Sequence, residues 1–184
     1  MKYFHLAAIV LTLFVACTFV CPDPASAASA SEINRNARSS LAKLYAKSPA
    51  AKALGEKAKG ILVFPGIVKG GFIVGGQYGE GALLMRGKTA GYYSTVQASY
   101  GLQAGLQKYG YALFFVTDKV MNWFLKSEGW ELGVGPTIVV VDVGAAASMS
   151  TTTLQSEIYA FFFDQKGLMG GLGLQGTKVT RIKK

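Results

Sequence analysis

All 23 glycines of this 184-residue chain lie beyond residue 54, in a stretch otherwise rich in Val, Ile, Phe and Tyr. Glycine inside a helix costs about 1 kcal/mol relative to alanine, so this density excludes a helical bundle. β-branched and aromatic residues favour strands, and glycine among them marks turns, bulges and close backbone approaches. The expected fold is α+β: a glycine-rich, mainly antiparallel curled sheet, half-barrel-like, with basic N-terminal helices and one further short helix.

The first 27 residues read differently. Lys2 supplies a positive start, Leu6 to Val20 is mostly apolar, Pro22 and Pro24 break the run, and Ala25-Ser26-Ala27 fits an A-x-A cleavage site. The run is short for a membrane span, so residues 1–27 are expected to be a removable secretory signal. The competing reading is a lipoprotein signal with lipidation at Cys17; Leu13 and Ala16 suit it and Phe14 does not. Either way the protein is expected outside the cytoplasm, in the periplasm, at the outer membrane or secreted.

That segment holds His5, Cys17 and Cys21, and the rest of the chain has no histidine or cysteine. Ser-His-Asp triads, cysteine nucleophiles, His/Cys zinc sites and disulfides are thereby excluded from residues 28–184. No cofactor is expected.

Residues 28–59 carry seven basic and two acidic residues, against eleven and seven in residues 60–184. The first stretch reads as a basic helical arm and the second as the strand-rich body of the same domain. Ile33, Ala37, Leu41, Leu44 and Tyr45 fall on one helical face, with Arg35, Arg38, Lys43 and Lys47 around the other side. Ser48-Pro49 reads as the cap and first turn of a second helix that stops at Gly60. Strands are expected at 61–64, 71–78, 82–86, 89–107, 111–116, 138–143, 158–163, 168–174 and 178–182. A turn is expected at Gly79-Glu80-Gly81, and a helix capped by Asp118 through Lys126.

Several motifs imitate catalytic or nucleotide-binding elements. Gly171-Leu172-Gly173-Leu174-Gln175-Gly176 matches G-x-G-x-x-G, but a strand follows it where the dinucleotide fold needs a helix. Gly87-Lys88-Thr89 resembles the end of a phosphate-binding loop, with Ala82 where the first glycine belongs. Ser40-Leu41-Ala42-Lys43 satisfies S-x-x-K, the basis of a remote Ser/Lys hydrolase alternative, without the partner elements of that class. The acidic residues are read as solvated charges, Glu128 and Glu131 bracketing a loop. Trp123, Phe124 and Trp130 suit either a head-group interface or the core, and core packing is the commoner role.

The segments Ala58-Lys59-Gly60-Ile61-Leu62-Val63-Phe64-Pro65, Lys69-Gly70-Gly71-Phe72-Ile73-Val74-Gly75-Gly76 and Gly79-Glu80-Gly81 follow one another in an order that resembles the SYLF domain family. The likeness continues through Gly91-Tyr92-Tyr93, Ser99-Tyr100-Gly101-Leu102-Gln103-Ala104-Gly105, Gly133-Val134-Gly135-Pro136 and Gly167-Leu168-Met169-Gly170-Gly171-Leu172. The resemblance implies a non-enzymatic domain that binds phospholipid through a basic amphipathic N-terminal helix, with actin binding in some fungal members. The chain departs from eukaryotic members in its leader and in lacking an SH3 or FYVE-like module. Export would separate it from cytosolic phosphoinositides and, ordinarily, from actin.

The combined expectation is docking on an anionic phospholipid membrane. The cations would be Arg35, Arg38, Lys43, Lys47, Lys52, Lys57, Lys59 and Lys69, and the inserted apolar face Ile33, Leu41, Leu44 and Tyr45. An envelope protein or cell-wall polymer is the alternative partner, and an exported chain has no routine access to nucleic acid.

Overall fold

Ser29 opens the first helix: its hydroxyl accepts a hydrogen bond from the Glu32 amide at 3.2 Å, and α1 runs Ala30–Lys47. Glu32 in the first turn and Lys47 in the last complement the helix dipole. The Ser48 amide donates to the Leu44 carbonyl, and the Ser48 hydroxyl caps α2, Pro49–Lys57, by accepting from the Ala51 amide. The expected Ser-Pro junction is therefore present. α2 stops at Lys57, short of the expected Gly60, because Gly60 already pairs with Phe115 as the first residue of β1.

The computed structural model describes residues 28–127, 129–141, 156–167 and 174–184, and their side chains except 72–73 and 99–104. The signal segment with Cys17, residues 142–143, most of 168–174, and Glu128 lie outside the described residues.

The body is dominated by two long antiparallel strands, β1 (Gly60–Met85) and β2 (Lys88–Phe115). The sequence suggested several shorter strands here. They merge because glycines and bulges let one strand bend without ending, with register shifts at Phe64/Ile67, Phe72/Val74 and Leu83/Leu84. Gly79-Glu80-Gly81 is not a turn: these residues pair in register with Thr95, Ser94 and Tyr93. The chain reverses at Arg86-Gly87, both at positive φ (48° and 74°), between the paired Met85 and Lys88.

Thr117, not Asp118, caps α3 (Asp118–Lys126), its hydroxyl accepting from the Val120 amide. Asp118 instead begins the helix. Short β3 (Gly129–Glu131) occupies what was expected to be loop; β4 (Ile138–Val141), β5 (Ile158–Gly167) and β6 (Lys178–Ile182) follow. The order is β3-β6-β2-β5-β4, with β1 also on β2; every pairing is antiparallel except β4 with β5. This is a mixed α+β fold with a mostly antiparallel sheet curled into a half-barrel.

Each sheet face has its own core. Leu62, Phe64, Leu83, Tyr111 and Phe162 pack with α3 and Trp130 on one face. On the other, Ile61, Val63, Ala82, Leu84, Phe114 and Phe161 lie under α1 and α2. We call the second the helix-bearing face.

Candidate functional site

The apolar stripe of α1 covers the helix-bearing face: Ile33, Ala37, Leu41 and Leu44 are all buried there. This corrects the expectation that Ile33, Leu41, Leu44 and Tyr45 insert into a membrane. The sheet residues beneath them are themselves apolar, and covering both surfaces removes both from water. Tyr45 is partly buried against the same cluster, 6.5 Å from the Phe114 ring, with its hydroxyl against Gly55. Its pKa is pushed up to about 12 by burial, with a further push from Glu56.

The cations of α1 and α2 divide by what they touch. Lys47 pairs with Asp164 at 3.1 Å, and Lys59, just past α2, with Asp118 at 3.2 Å. Arg38 donates from Nη2 to the Gly87 carbonyl at 3.0 Å. Arg35, Lys43, Lys52 and Lys57 are exposed and form no ion pair among the described residues.

Lys69 is not a surface cation at all; it is buried on the face opposite α1 and α2. The bulge between Phe64 and Ile67 explains this, because one extra residue inverts the alternation of a strand. Val63 faces the helices, yet after the bulge it is Val68 that does so and Lys69 that turns inward.

Two cations missed by sequence reasoning join this surface. Arg86 and Lys88 flank Gly87 at the β1–β2 tip, exposed and without an ion pair among the described residues. α1 is fastened to that hairpin three ways. Arg38 bonds Gly87, Asn34 Nδ2 donates to the Tyr92 hydroxyl at 2.7 Å, and the Thr89 hydroxyl donates to Asn34 Oδ1 at 2.6 Å. Holding Arg86 at φ 48° costs about 1 kcal/mol, since L-residues other than Asn and Asp avoid that region. Arg-Gly lacks the usual Asn-Gly or Asp-Gly turn signature, although the break between the strands expected at 82–86 and 89–107 falls at this tip.

Beside the tip, α1, α2 and α3 enclose a cleft of about 810 Å³ whose lining includes Arg38, Tyr45, Lys59, Arg86, Asp118 and Met121. The Lys59–Asp118 pair neutralises part of that wall. Ser40 is buried while Lys43 is exposed, so the S-x-x-K pair does not share one environment. Glu80, expected to be solvated, lies nearly buried with Lys184 at 2.9 Å and accepts from the Tyr78 hydroxyl. Phe124 and Trp130 are core residues, and Trp123 stands partly exposed, edge-on to Trp130 at 5.4 Å. Gly176, from the expected glycine-rich motif, turns at φ 75° into β6, with no helix following. Among the described residues no cluster of acids, His or Cys forms a metal site, and no helix is long and apolar enough to cross a membrane.

Residues 96–184 match the model of the Ysc84 family, described as Las17-binding protein actin regulator. Over residues 96–184 the chain is similar to the Ysc84 (SYLF) domain, in agreement with the resemblance read from its sequence. The matched part of the chain holds most of β2, α3 and β3 to β6, and α1, α2 and β1 precede it. A search of curated proteins gave no significant match. The segments Gly133–Pro136 and Gly167–Leu172 fall inside the match to the Ysc84 family, and those from Ala58 to Tyr93 lie before it.

Proposed function

We propose that the chain is an exported, non-enzymatic domain that docks on an anionic phospholipid membrane through the cationic surface of α1, α2 and the β1–β2 tip. The observation that carries this reading is a set of exposed cations without acidic partners among the described residues, Arg35, Lys43, Lys52, Lys57, Arg86 and Lys88, with α1 and the tip held together by Asn34 and Arg38. Each Lys or Arg near an anionic membrane contributes about 1 kcal/mol, so six suffice for reversible docking. The Ysc84 match supports an adaptor-type binding domain over an enzyme.

The mechanism is long-range attraction followed by contact of lysine and arginine head groups with lipid phosphates. Arg38 and Lys47 act differently from the other cations: they hold α1 on the sheet, so reversing their charge would disturb packing as well as binding. Reversal of Arg35, Lys43, Arg86 and Lys88 to Glu is the cleaner test. Co-sedimentation with anionic vesicles should be lost while the circular dichroism and melting temperature stay close to the parent's. Undiminished sedimentation of the folded quadruple variant would refute the assignment.

A second reading draws on the family description, in which the partner is a protein, Las17. There the same cations would meet an acidic protein or a wall polymer. Pull-down by those polymers, with no sedimentation on vesicles, would favour it.

A further inference from the structure

Among the described residues the helix-bearing face is covered at one end only. Following register and burial along it, Val63, Ala82, Leu84, Ala112 and Phe114 lie under the helices. Beyond them the same face shows Val68, Val74, Tyr78, Val96 and Leu106, between 47% and 67% exposed. Their common orientation follows from the pairing. Tyr78 lies opposite Val96 and four residues from Ala82 without a register shift between, so both point to the α1 side. Leu106 pairs with Gly70, and Val68 with Lys108, two residues along each strand. Buried Lys69, Gln77, Thr95 and Gln107 alternate with them on the opposite face. Five large apolar side chains on one uncovered sheet face exceed the scattered singles normal for a soluble surface.

The charge at its border points to the occupant. Lys108 stands directly opposite Lys166 on β5, and both are exposed with no ion pair among the described residues. Like charges directly opposite across a sheet repel, and a bound anion relieves them. Among the described residues, Glu80 beside Tyr78 is already held by Lys184, and Asp164 near Lys166 by Lys47.

We infer that this bare part of the sheet seats in the interfacial layer of an anionic bilayer, with Val74, Tyr78 and Leu106 entering the head-group region and Lys108 and Lys166 meeting lipid phosphates. The inference rests on the membrane reading above and changes its apolar component: the sheet, not the buried stripe of α1, supplies it. The helix cations and the bare part lie on the same face of the sheet.

The test uses the full chain with Cys17→Ser and Cys21→Ser, leaving no other cysteine. An environment-sensitive dye is placed at Leu106→Cys or Val74→Cys, and in a control at Val134→Cys, equally exposed but in the loop after β3. On anionic vesicles the dye at 106 and 74 should shift to the blue and be quenched by spin-labelled lipid, while the dye at 134 stays in water. Leu106→Ser with Val74→Ser should weaken vesicle affinity about tenfold without changing the melting temperature, since both side chains are already exposed. If the labelled protein sediments on vesicles but 106 and 74 remain in water, this inference fails and the electrostatic reading survives. If nothing sediments, both fail. A blue shift that grows with protein concentration and needs no lipid would make the patch a contact between copies of the chain, and would overturn the inference.

Discussion

Tyr45 and Tyr109 hold their protons up to about pH 12, chiefly because burial penalises the phenolate; Gln77, bonded to Tyr109, opposes the shift there. Burial raises Tyr111 further still, against the pull of its hydrogen bond with Thr95. All three move above the ordinary value of 10.0 in the folded state. The stability they confer is fully present below the unfolded pKa of about 10 and is lost as pH rises through the folded values. Denaturant midpoints should be flat through the mildly alkaline range and fall steeply between about pH 10 and 12; an unchanged midpoint there would contradict the burial of these rings. Gly81 makes a second residue-scale prediction. A Cβ there would lie 2.3 Å from the Val63 carbonyl oxygen and 2.6 Å from Phe64 Cδ1. Gly81→Ala should cost about 1–3 kcal/mol in chemical denaturation. Gly87→Asn, at φ 74° with open space around it, should change stability by less than about 0.5 kcal/mol.

Within α1 the adjacent residues Lys43 and Leu44 separate binding from folding. Leu44 is buried in the helix–sheet core, and Lys43 is exposed with no ion pair among the described residues. Leu44→Ala should lower unfolding free energy by about 2–5 kcal/mol. Lys43→Glu should leave it within about 0.5 kcal/mol and weaken sedimentation on anionic vesicles. The reverse pattern would mean that α1 turns its other face outward. Regular elements with local signals were legible: the Ser48-Pro49 junction, α3 through Lys126, and β6 at Lys178–Ile182. Strand continuity was not, because glycines suggested turns where β1 only bends, and the real turn lies at Arg86-Gly87. The same limit governed the site. Amphipathicity identified the buried and exposed sides of α1 but not what the apolar side would meet, which depends on an apolar sheet distant in sequence. A single bulge reversed the direction of Lys69, and alternation alone could not foresee it.

For the molecule as a whole, the excess charge and the bare apolar surface fall on the same side of the sheet. α1 and α2 cover part of that side and project Arg35, Lys43, Lys52 and Lys57 outward, while Val74, Tyr78 and Leu106 lie uncovered beside them. The C-terminal Lys184 closes the arrangement by donating to the Ala28 carbonyl at 3.0 Å and to Glu80, which ties the start of the helical segment to β1. A rigid surface of this kind needs no unfolding of α1 to bind. Far-ultraviolet circular dichroism should therefore be the same with and without vesicles, whereas release of α1 from the sheet would alter the tertiary, near-ultraviolet signal of the tyrosines beneath it.

The most direct measurement is co-sedimentation of the full chain with vesicles graded from neutral to strongly anionic composition, each over a range of salt. The account predicts no sedimentation on neutral vesicles, affinity that rises with anionic fraction, and steep loss as salt shortens the screening length below about 8 Å. Equal sedimentation on neutral and anionic vesicles, or none on either, would contradict it.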